Sequence, residues 1–496
     1  MINYDINLNE EFLEVINRIC RQEVFNPGIL SDSEITYISN IKRFSERWRA
    51  DPSFRKQVCV EPYQTIIDYG IKLEPEEIGH LLESNFAQNI PKNDPIITRY
   101  EHWKKIVEQE KPSNHLKSAI SSLPNLHFKT WRERQIAHTT SQFKKWVQDS
   151  IPHFTVSLEL NKGCSVGCAF CSVSAPSLSD IFYHNQENAQ LWREILEVLK
   201  EILGSAAGVG FCYWATEPMD NPDYENFCSD FHEILGFFPQ TTTAQPLKNP
   251  DRTRALLKLS REKKCHYNRF SILSLKMLDL IHKEFTAEEL AFVQLELHNK
   301  EAKRIKASAG RSREKSTKKP EQGSELSEQG TIACISGFLF NMVDRSVKLI
   351  SPCNASERWP NGYIVYAQET FTDAEDLKII LGRMIEDNMP LTIRPEQLVA
   401  FRPDLNYESL PDGFRLSNRL KTYNFRHEPQ IKELGDLISR GDKTAQEIVT
   451  IFKSSGVPLA LIFHHLNLMF EKGILDEEPK APKISETTDL AVSLTR

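Results

Sequence analysis

Three cysteines fall close together in Lys162-Gly163-Cys164-Ser165-Val166-Gly167-Cys168-Ala169-Phe170-Cys171. Thiolates at i, i+4 and i+7 on a glycine-containing loop can each take one iron of a [4Fe–4S] cluster, which leaves the fourth iron open. An open iron is a place for chemistry. Zinc normally wants four ligands, and no fourth lies nearby in the sequence. Three buried core thiols are the remaining alternative. The other cysteines are Cys20, Cys59, Cys212, Cys228, Cys265, Cys334 and Cys353, and none forms a Cys-x-x-Cys pair, so no second cluster is expected.

The elements around this loop set its context. Thr155-Val156-Ser157-Leu158-Glu159-Leu160 alternates as a strand immediately before it, and strand-like runs follow at Val209–Trp214, Gln240–Thr243 and Arg269–Ile272. Helical stretches at Leu191–Ile202 and Asn226–Leu235 separate them. Alternating strands and helices predict a parallel α/β sheet of βαβ units over residues 151–390, with the segment reaching Asp387 closing it. Residues 1–150 carry helical spacing, as in Phe12, Leu13, Ile16 and Ile19. Within 299–330, a run rich in Lys and Arg followed by Glu, Ser and Gly predicts a flexible insertion; steering of an acidic partner is its functional alternative. Residues 391–480 give three short amphipathic helices of winged-helix character, and 481–496 form a tail. Gly204, Gly208 and Gly210 are too weakly patterned for a phosphate loop and are expected to serve a turn.

Composition narrows the class. With 496 residues, 40% apolar and 26% charged, the chain is long enough for about three globular domains. Its net charge of -7 argues against a surface built to hold nucleic acid, and the third C-terminal helix has His464, His465 and Asn467 but no basic residue before Lys472. No apolar run approaches a membrane span. The first ten residues contain Asp5 and Glu10 without Lys or Arg, unlike a secretory signal, so the expectation is a cytoplasmic protein with free or metal-bound thiols.

The loop resembles the Cys-x3-Cys-x-aromatic-Cys signature of the radical S-adenosylmethionine (SAM) superfamily. The resemblance implies a partial (β/α)6 barrel over residues 151–390, with Cys164, Cys168 and Cys171 as cluster ligands and SAM chelating the open iron. Ala215-Thr216-Glu217-Pro218 stands where the superfamily has Gly-Gly-Glu-Pro, which implies cofactor contacts from Thr216 and Glu217, the latter to the SAM ammonium group. The two glycines are missing here. Asn268-Arg269-Phe270-Ser271 closes a later strand where family members set polar residues against SAM, so Arg269 and Ser271 are further candidates; a strand-end salt bridge and cap is the alternative.

Tyr213–Pro222 together with Ser351-Pro352-Cys353 to Arg358-Trp359-Pro360-Asn361-Gly362-Tyr363 is similar to the radical SAM peptide epimerases of proteusin-type maturation. That implies abstraction of a Cα hydrogen from an L-residue in a ribosomally made precursor peptide, then hydrogen return from the opposite face by a thiol. Cys353, in a polar loop expected at the barrel mouth, takes that role, with Cys334 as the fallback. A leader peptide and a one-electron donor such as flavodoxin or ferredoxin are the implied partners. The C-terminal module resembles peptide-recognition elements that bind a leader by strand addition, with Phe414–Asn424 as its sheet. Residues 35–85, through Phe44-Ser45-Glu46-Arg47-Trp48, are similar to nitrile-hydratase-like leaders. Thioether or carbon–carbon crosslinking and C-methylation are the competing reactions, and an iron–sulfur DNA-binding regulator is the non-enzymatic competitor.

Overall fold

Turn residues cut the N-terminal chain into short amphipathic helices. The computed structural model describes residues 32–73, 112–265, 267–302, 307–318, 330–427 and 430–479. α1 (Asp32–Ala50) ends at Asp51, whose carboxylate accepts the amide protons of Ser53 and Phe54 and so starts α2 (Pro52–Val60). Pro62 opens α3 (Pro62–Asp68). Phe44, Phe54, Val58 and Ile66 give these helices a small core of their own. α4 (Pro112–Ser121), α5 (Leu126–Gln142) and α6 (Lys145–Gln148) follow. Both described stretches before residue 150 are thus helical; residues 74–85 of the leader-like segment lie outside the described residues.

β1 (Phe154–Glu159) begins the α/β part, and β2 (Asn161–Lys162) pairs antiparallel with β3 (Asp180–Ile181) across the cysteine loop. α7 (Gln186–Leu203) is capped by Asn185 and buries Leu191, Trp192, Ile195 and Leu199. Then come α8 (Tyr224–Leu235), β4 (Thr242–Thr243), α9 (Pro250–Glu262), β5 (Asn268–Ile272), α10 (Leu275–Glu284) and β6 (Val293–Leu297). β4, β5 and β6 form one parallel sheet. After α11 (Gly310–Lys318), β7 (Ile335–Asn341) runs parallel to β1, and β8 (Ser346–Pro352) and β9 (Tyr363–Thr370) fold back antiparallel before α12 (Ala374–Asn388).

The strand–helix alternation is present, with two differences from expectation. Val209–Trp214 is not a strand: Gly204–Val209 is a 3-10 turn, and Phe211 makes a single parallel bridge to Ser157. A Cβ on Gly210 would meet Val156 Cγ1 at 2.6 Å, and one on Gly208 would meet Leu235 O at 2.7 Å. The glycines therefore permit close packing against β1 and α8 rather than a ladder. The segment reaching Asp387 also closes no barrel. Among the described residues the parallel strands belong to two sheets, and β7 turns into an antiparallel meander through Arg345, at φ 44.

The C-terminal unit has a three-stranded antiparallel sheet, β10 (Asn406–Leu410), β11 (Gly413–Ser417) and β12 (Thr422–Arg426), so the sheet is one strand wider than the expected Phe414–Asn424. α13 (Ile431–Arg440), α14 (Ala445–Ser454) and α15 (Leu459–Glu471) pack on it around Phe414, Leu434, Phe452 and Leu466. Arg134 on α5 binds Glu477 at 3.0 Å, and Arg402 donates to Ser141 Oγ at 2.6 Å, which ties this unit to α5. Residues 481–496 lie outside the described residues. No helix among the described residues is long and apolar enough to cross a membrane.

Three histidines are buried without charge. Burial depresses His153 to about 3, with Arg132 adding to it. Burial also depresses His282 to about 4 against the pull of Glu46. It holds His138 well below its ordinary value, helped by Arg402 and Arg134. In the unfolded chain each binds a proton near pH 6.5, while the folded chain does not. Stability is therefore full above about pH 6.5 and falls as pH drops toward 3–4, by up to about 1.4 kcal/mol per pH unit for each histidine. We expect the melting temperature to fall from pH 7 to pH 5, with a shallower slope in His153→Gln. A flat profile over that range would contradict the assignment.

Candidate active site

The cysteine loop is built at the carboxyl end of β1. Gly163 sits at φ 87, and a Cβ there would come 2.3 Å from Ser177 O, so the chain can start the loop only with glycine. Cys164 N donates to Pro176 O at 3.0 Å, Cys171 N to Cys168 O at 3.2 Å, and Ala175 N to Cys171 Sγ at 3.3 Å. All three thiols are partly buried. Burial pushes Cys168 up to about 11, with Cys171 and Cys164 adding to the shift and Arg311 opposing it. Burial raises Cys164 as well, and Glu217 and Asp220 add to that.

The loop is joined to the Glu217 turn. Ser165 donates from its amide to Asp220 Oδ2 at 3.0 Å and from its hydroxyl to Asp220 Oδ1 at 2.6 Å. Lys248 pairs with Asp220 at 3.1 Å, and Gln245 donates to Ser165 Oγ at 2.6 Å. Glu217 is 3% exposed, and its carboxylate accepts from Met219 N at 3.1 Å, Ala244 N at 2.8 Å and the Thr243 hydroxyl. Burial pushes its pKa up, and these donors pull it back. A carboxylate has about four acceptor positions, so room is left for one more donor.

Behind the turn lies a closed ring of hydrogen bonds. Ala215 N donates to Glu159 Oε1 at 2.7 Å; Asn341 Nδ2 donates to Glu159 Oε2 at 3.1 Å and to Asn161 O at 3.0 Å; Asn161 Nδ2 donates to Glu217 O at 2.9 Å. The ring fixes the Ala215-Thr216-Glu217 backbone without the two glycines. Removing Asn341 would leave a buried carboxyl oxygen without this donor, at a cost of about 1–3 kcal/mol. Asn341→Ala is expected to lower the melting temperature accordingly, and an unchanged value would contradict the ring's role.

Other expected residues are placed less directly. Thr216 Oγ1 lies 3.5 Å from Trp214 N. Arg269 and Ser271 share the half-buried face of β5, as the alternation requires. Arg269 donates to Thr242 Oγ1 at 2.9 Å, Tyr213 OH at 2.7 Å and Gln240 Oε1 at 3.2 Å, an internal polar network that differs from the alternative strand-end salt bridge. Burial opposes its charge, but Tyr213, Tyr267 and Glu296 hold its pKa above the ordinary value. Cys353 is 4% exposed, beneath the loop it begins, with its amide donating to Gly362 O at 3.0 Å. Burial raises its pKa, and Glu478 adds to this, so the sulfur keeps its hydrogen. Cys334 precedes β7, and burial pushes it up to about 12. The loop after Cys353 reaches the cysteine loop by way of Gly310, whose amide donates to Pro360 O at 2.7 Å and whose neighbour Arg311 donates from its amide to Cys171 O at 3.0 Å.

Ser165, Asp220, Asn161, Asn341 and Arg311 complete the site and were not expected from sequence. Asp220 had a signal: it lies three residues after Glu217, in the same turn. Among the described residues no group of three or more His, Cys, Asp or Glu side chains could hold a metal ion. A four-iron cluster makes a different demand, one thiolate for each of three irons. Cys171 and Cys164 add to the raised pKa of Cys168, and iron would relieve that by replacing its proton. The loop carries that number of thiols, on one short stretch of chain.

Fold and site define an α/β protein whose loop cysteines are tied to a buried acidic turn. The chain belongs to one family with the uncharacterized protein y4wI of Sinorhizobium fredii (strain NBRC 101917 / NGR234), to which it is 34% identical over 456 residues, 89% of this chain and 88% of that protein. No family model matches the chain. No solved structure matches it.

Proposed function

We propose that the chain is a cytoplasmic radical SAM enzyme that converts L-residues to D-residues in a ribosomally made precursor peptide. One observation carries the proposal: the three-cysteine loop is bound through Ser165 to the turn that buries Glu217. The partial barrel of that superfamily belongs to the proposal, with β1, β4, β5, β6 and β7 as its parallel strands.

Cys164, Cys168 and Cys171 would hold the cluster. When bound, cluster and SAM would supply the radical chemistry that takes the Cα hydrogen from an L-residue. The chain's own residues do the rest. Glu217 accepts a hydrogen bond from the SAM ammonium group at its remaining acceptor position. Thr216, Arg269 and Ser271 would make further contacts to the same cofactor. A planar Cα radical inverts only if hydrogen arrives from the other face. The buried Cys353 S–H would donate that atom, and its sulfur would regain an electron from the one-electron donor protein and a proton from solvent before the next turnover. The module of residues 391–480 holds the leader of the precursor.

The test is anaerobic reconstitution with iron and sulfide, followed by SAM and dithionite. About four irons per chain, visible iron–sulfur absorption and release of 5′-deoxyadenosine are expected. A folded protein with neither iron–sulfur absorption nor SAM cleavage would sink the proposal.

A further inference from the structure

The loop that follows Cys353 is bound to the C-terminal unit through Glu478, a residue to which the reaction above gives no part. Backbone groups fix the ends of the loop: Cys353 N donates to Gly362 O at 3.0 Å, Ala355 N to Gly330 O at 2.8 Å and Asn354 N to Gln142 Oε1 at 3.1 Å. Its tip is held by side chains. Trp359 Nε1 donates to Glu478 Oε2 at 2.9 Å, Arg358 Nη1 reaches the same oxygen at 3.3 Å, and the Arg358 guanidinium lies 5.0 Å from the centre of the Trp359 ring. Trp359 packs against the core cluster that contains Cys353. Glu478 in turn ends a strap that leaves α15 at Gly473, where a Cβ would lie 2.6 Å from His138 Cδ2 and 3.0 Å from Arg134 O, too close for any other residue. Arg402 Nη1 donates to Gly473 O at 2.7 Å, Asp476 N to Ala400 O at 2.9 Å and Glu478 N to Asp476 Oδ1 at 2.9 Å. Glu477 takes a two-pronged bond from Arg134. The strap is thus fixed independently of the loop, and Glu478 can set the position of the loop tip.

From these contacts we infer that Glu478 is a positioning residue for the thiol: through its bond to Trp359 it holds the loop closed over Cys353. The inference rests on the hydrogen-donor role proposed for Cys353. Return of hydrogen to one face of a planar radical needs the S–H group in one place, and a loop pinned at its tip supplies that order. A closed loop also keeps small reagents from the sulfur. The strap runs out of the module of residues 391–480, so the unit proposed to hold the leader and the loop over the hydrogen donor meet at this one carboxylate.

The experiment reads the thiol directly. The full chain, without iron, is treated with iodoacetamide, and alkylation of each cysteine is followed by peptide mass spectrometry. Trp359→Phe keeps a ring and the Glu478 charge but removes the donor; Glu478→Ala removes the acceptor; Glu478→Gln keeps an acceptor oxygen. We expect Cys353 to be alkylated at least about tenfold faster in Trp359→Phe and in Glu478→Ala, because the loop opens more often. Cys212 and Cys228, 1% and 0% exposed, should stay unreactive. Both Glu478 variants remove the charge that adds to the raised pKa of Cys353, so a slower rate in Glu478→Gln than in Glu478→Ala reports the bond to Trp359. In the reconstituted enzyme, 5′-deoxyadenosine formed per D-residue should rise at least about threefold in Glu478→Ala and return toward the wild-type ratio in Glu478→Gln, with KM for the precursor peptide unchanged. An unchanged Cys353 rate in Trp359→Phe overturns this inference and leaves the proposed function standing. So does a parallel rise at Cys212 and Cys228, which marks general loosening. A wild-type protein that assembles no cluster overturns the proposed function, while the alkylation rates, which need no cluster, still decide whether Glu478 closes the loop.

Discussion

Cys353→Ala is expected to lower D-residue formation at least about a hundredfold, equivalent to about 2.7 kcal/mol in the barrier, while SAM is still cleaved. The reason is stereochemical. Without a hydrogen donor on the far face, the Cα radical is quenched from the face where it formed or is lost to side reactions, so L-residues return. The surroundings of Cys353 favour the thiol over the thiolate: the residue is 4% exposed, and burial with Glu478 nearby raises its pKa. A hydrogen-atom donor needs the S–H bond intact. Chiral amino-acid analysis of the peptide, with 5′-deoxyadenosine measured in the same samples, checks both halves. Cys334→Ala should retain D-residue formation; if it abolishes the activity while Cys353→Ala does not, the donor has been misassigned.

The second large effect is at the cluster loop. Cys168→Ser is expected to reduce bound iron and iron–sulfur absorption to near background and to abolish SAM cleavage, with little loss of fold. Cys168 is only partly buried, and its thiol is held protonated by burial and by its two neighbours, so the metal-free protein gains nothing from its ionisation. The folded state does not depend on it. Metal analysis and circular dichroism on the same preparation decide the matter. Full iron retention would show that Cys168 is not a ligand, and loss of the folded signal would show that it is a core residue.

What was legible in the sequence was local. The cysteine spacing, the Glu217 motif and the strand run of Arg269–Ile272 depend on residues a few positions apart. The ring of Glu159, Asn341, Asn161 and Ala215 was not legible, because it joins the ends of β1 and β7, separated by 182 residues, and none of its members stands in a motif. Val209–Trp214 looked like a strand because its apolar run suits one, while the close packing that Gly208 and Gly210 allow against β1 and α8 only appears in three dimensions. Arg311 was hidden for a different reason. Its neighbourhood has almost no apolar content, which reads as an insertion, yet its amide and guanidinium both end on backbone carbonyls of the cysteine loop, to which composition is blind. The turn at Arg345 sends β8 antiparallel where a run of apolar residues suggested closure of a barrel.

The central claim is tested most directly by isotope. The reconstituted protein is incubated anaerobically with SAM, a reductant and a precursor peptide in deuterated water, and the peptide is analysed by mass spectrometry and chiral amino-acid analysis. The prediction is one deuterium at Cα for each D-residue formed, with no other mass change and no label in Cys353→Ala. Loss of two hydrogens or gain of a methyl group would contradict epimerisation and point to crosslinking or methylation at the same site.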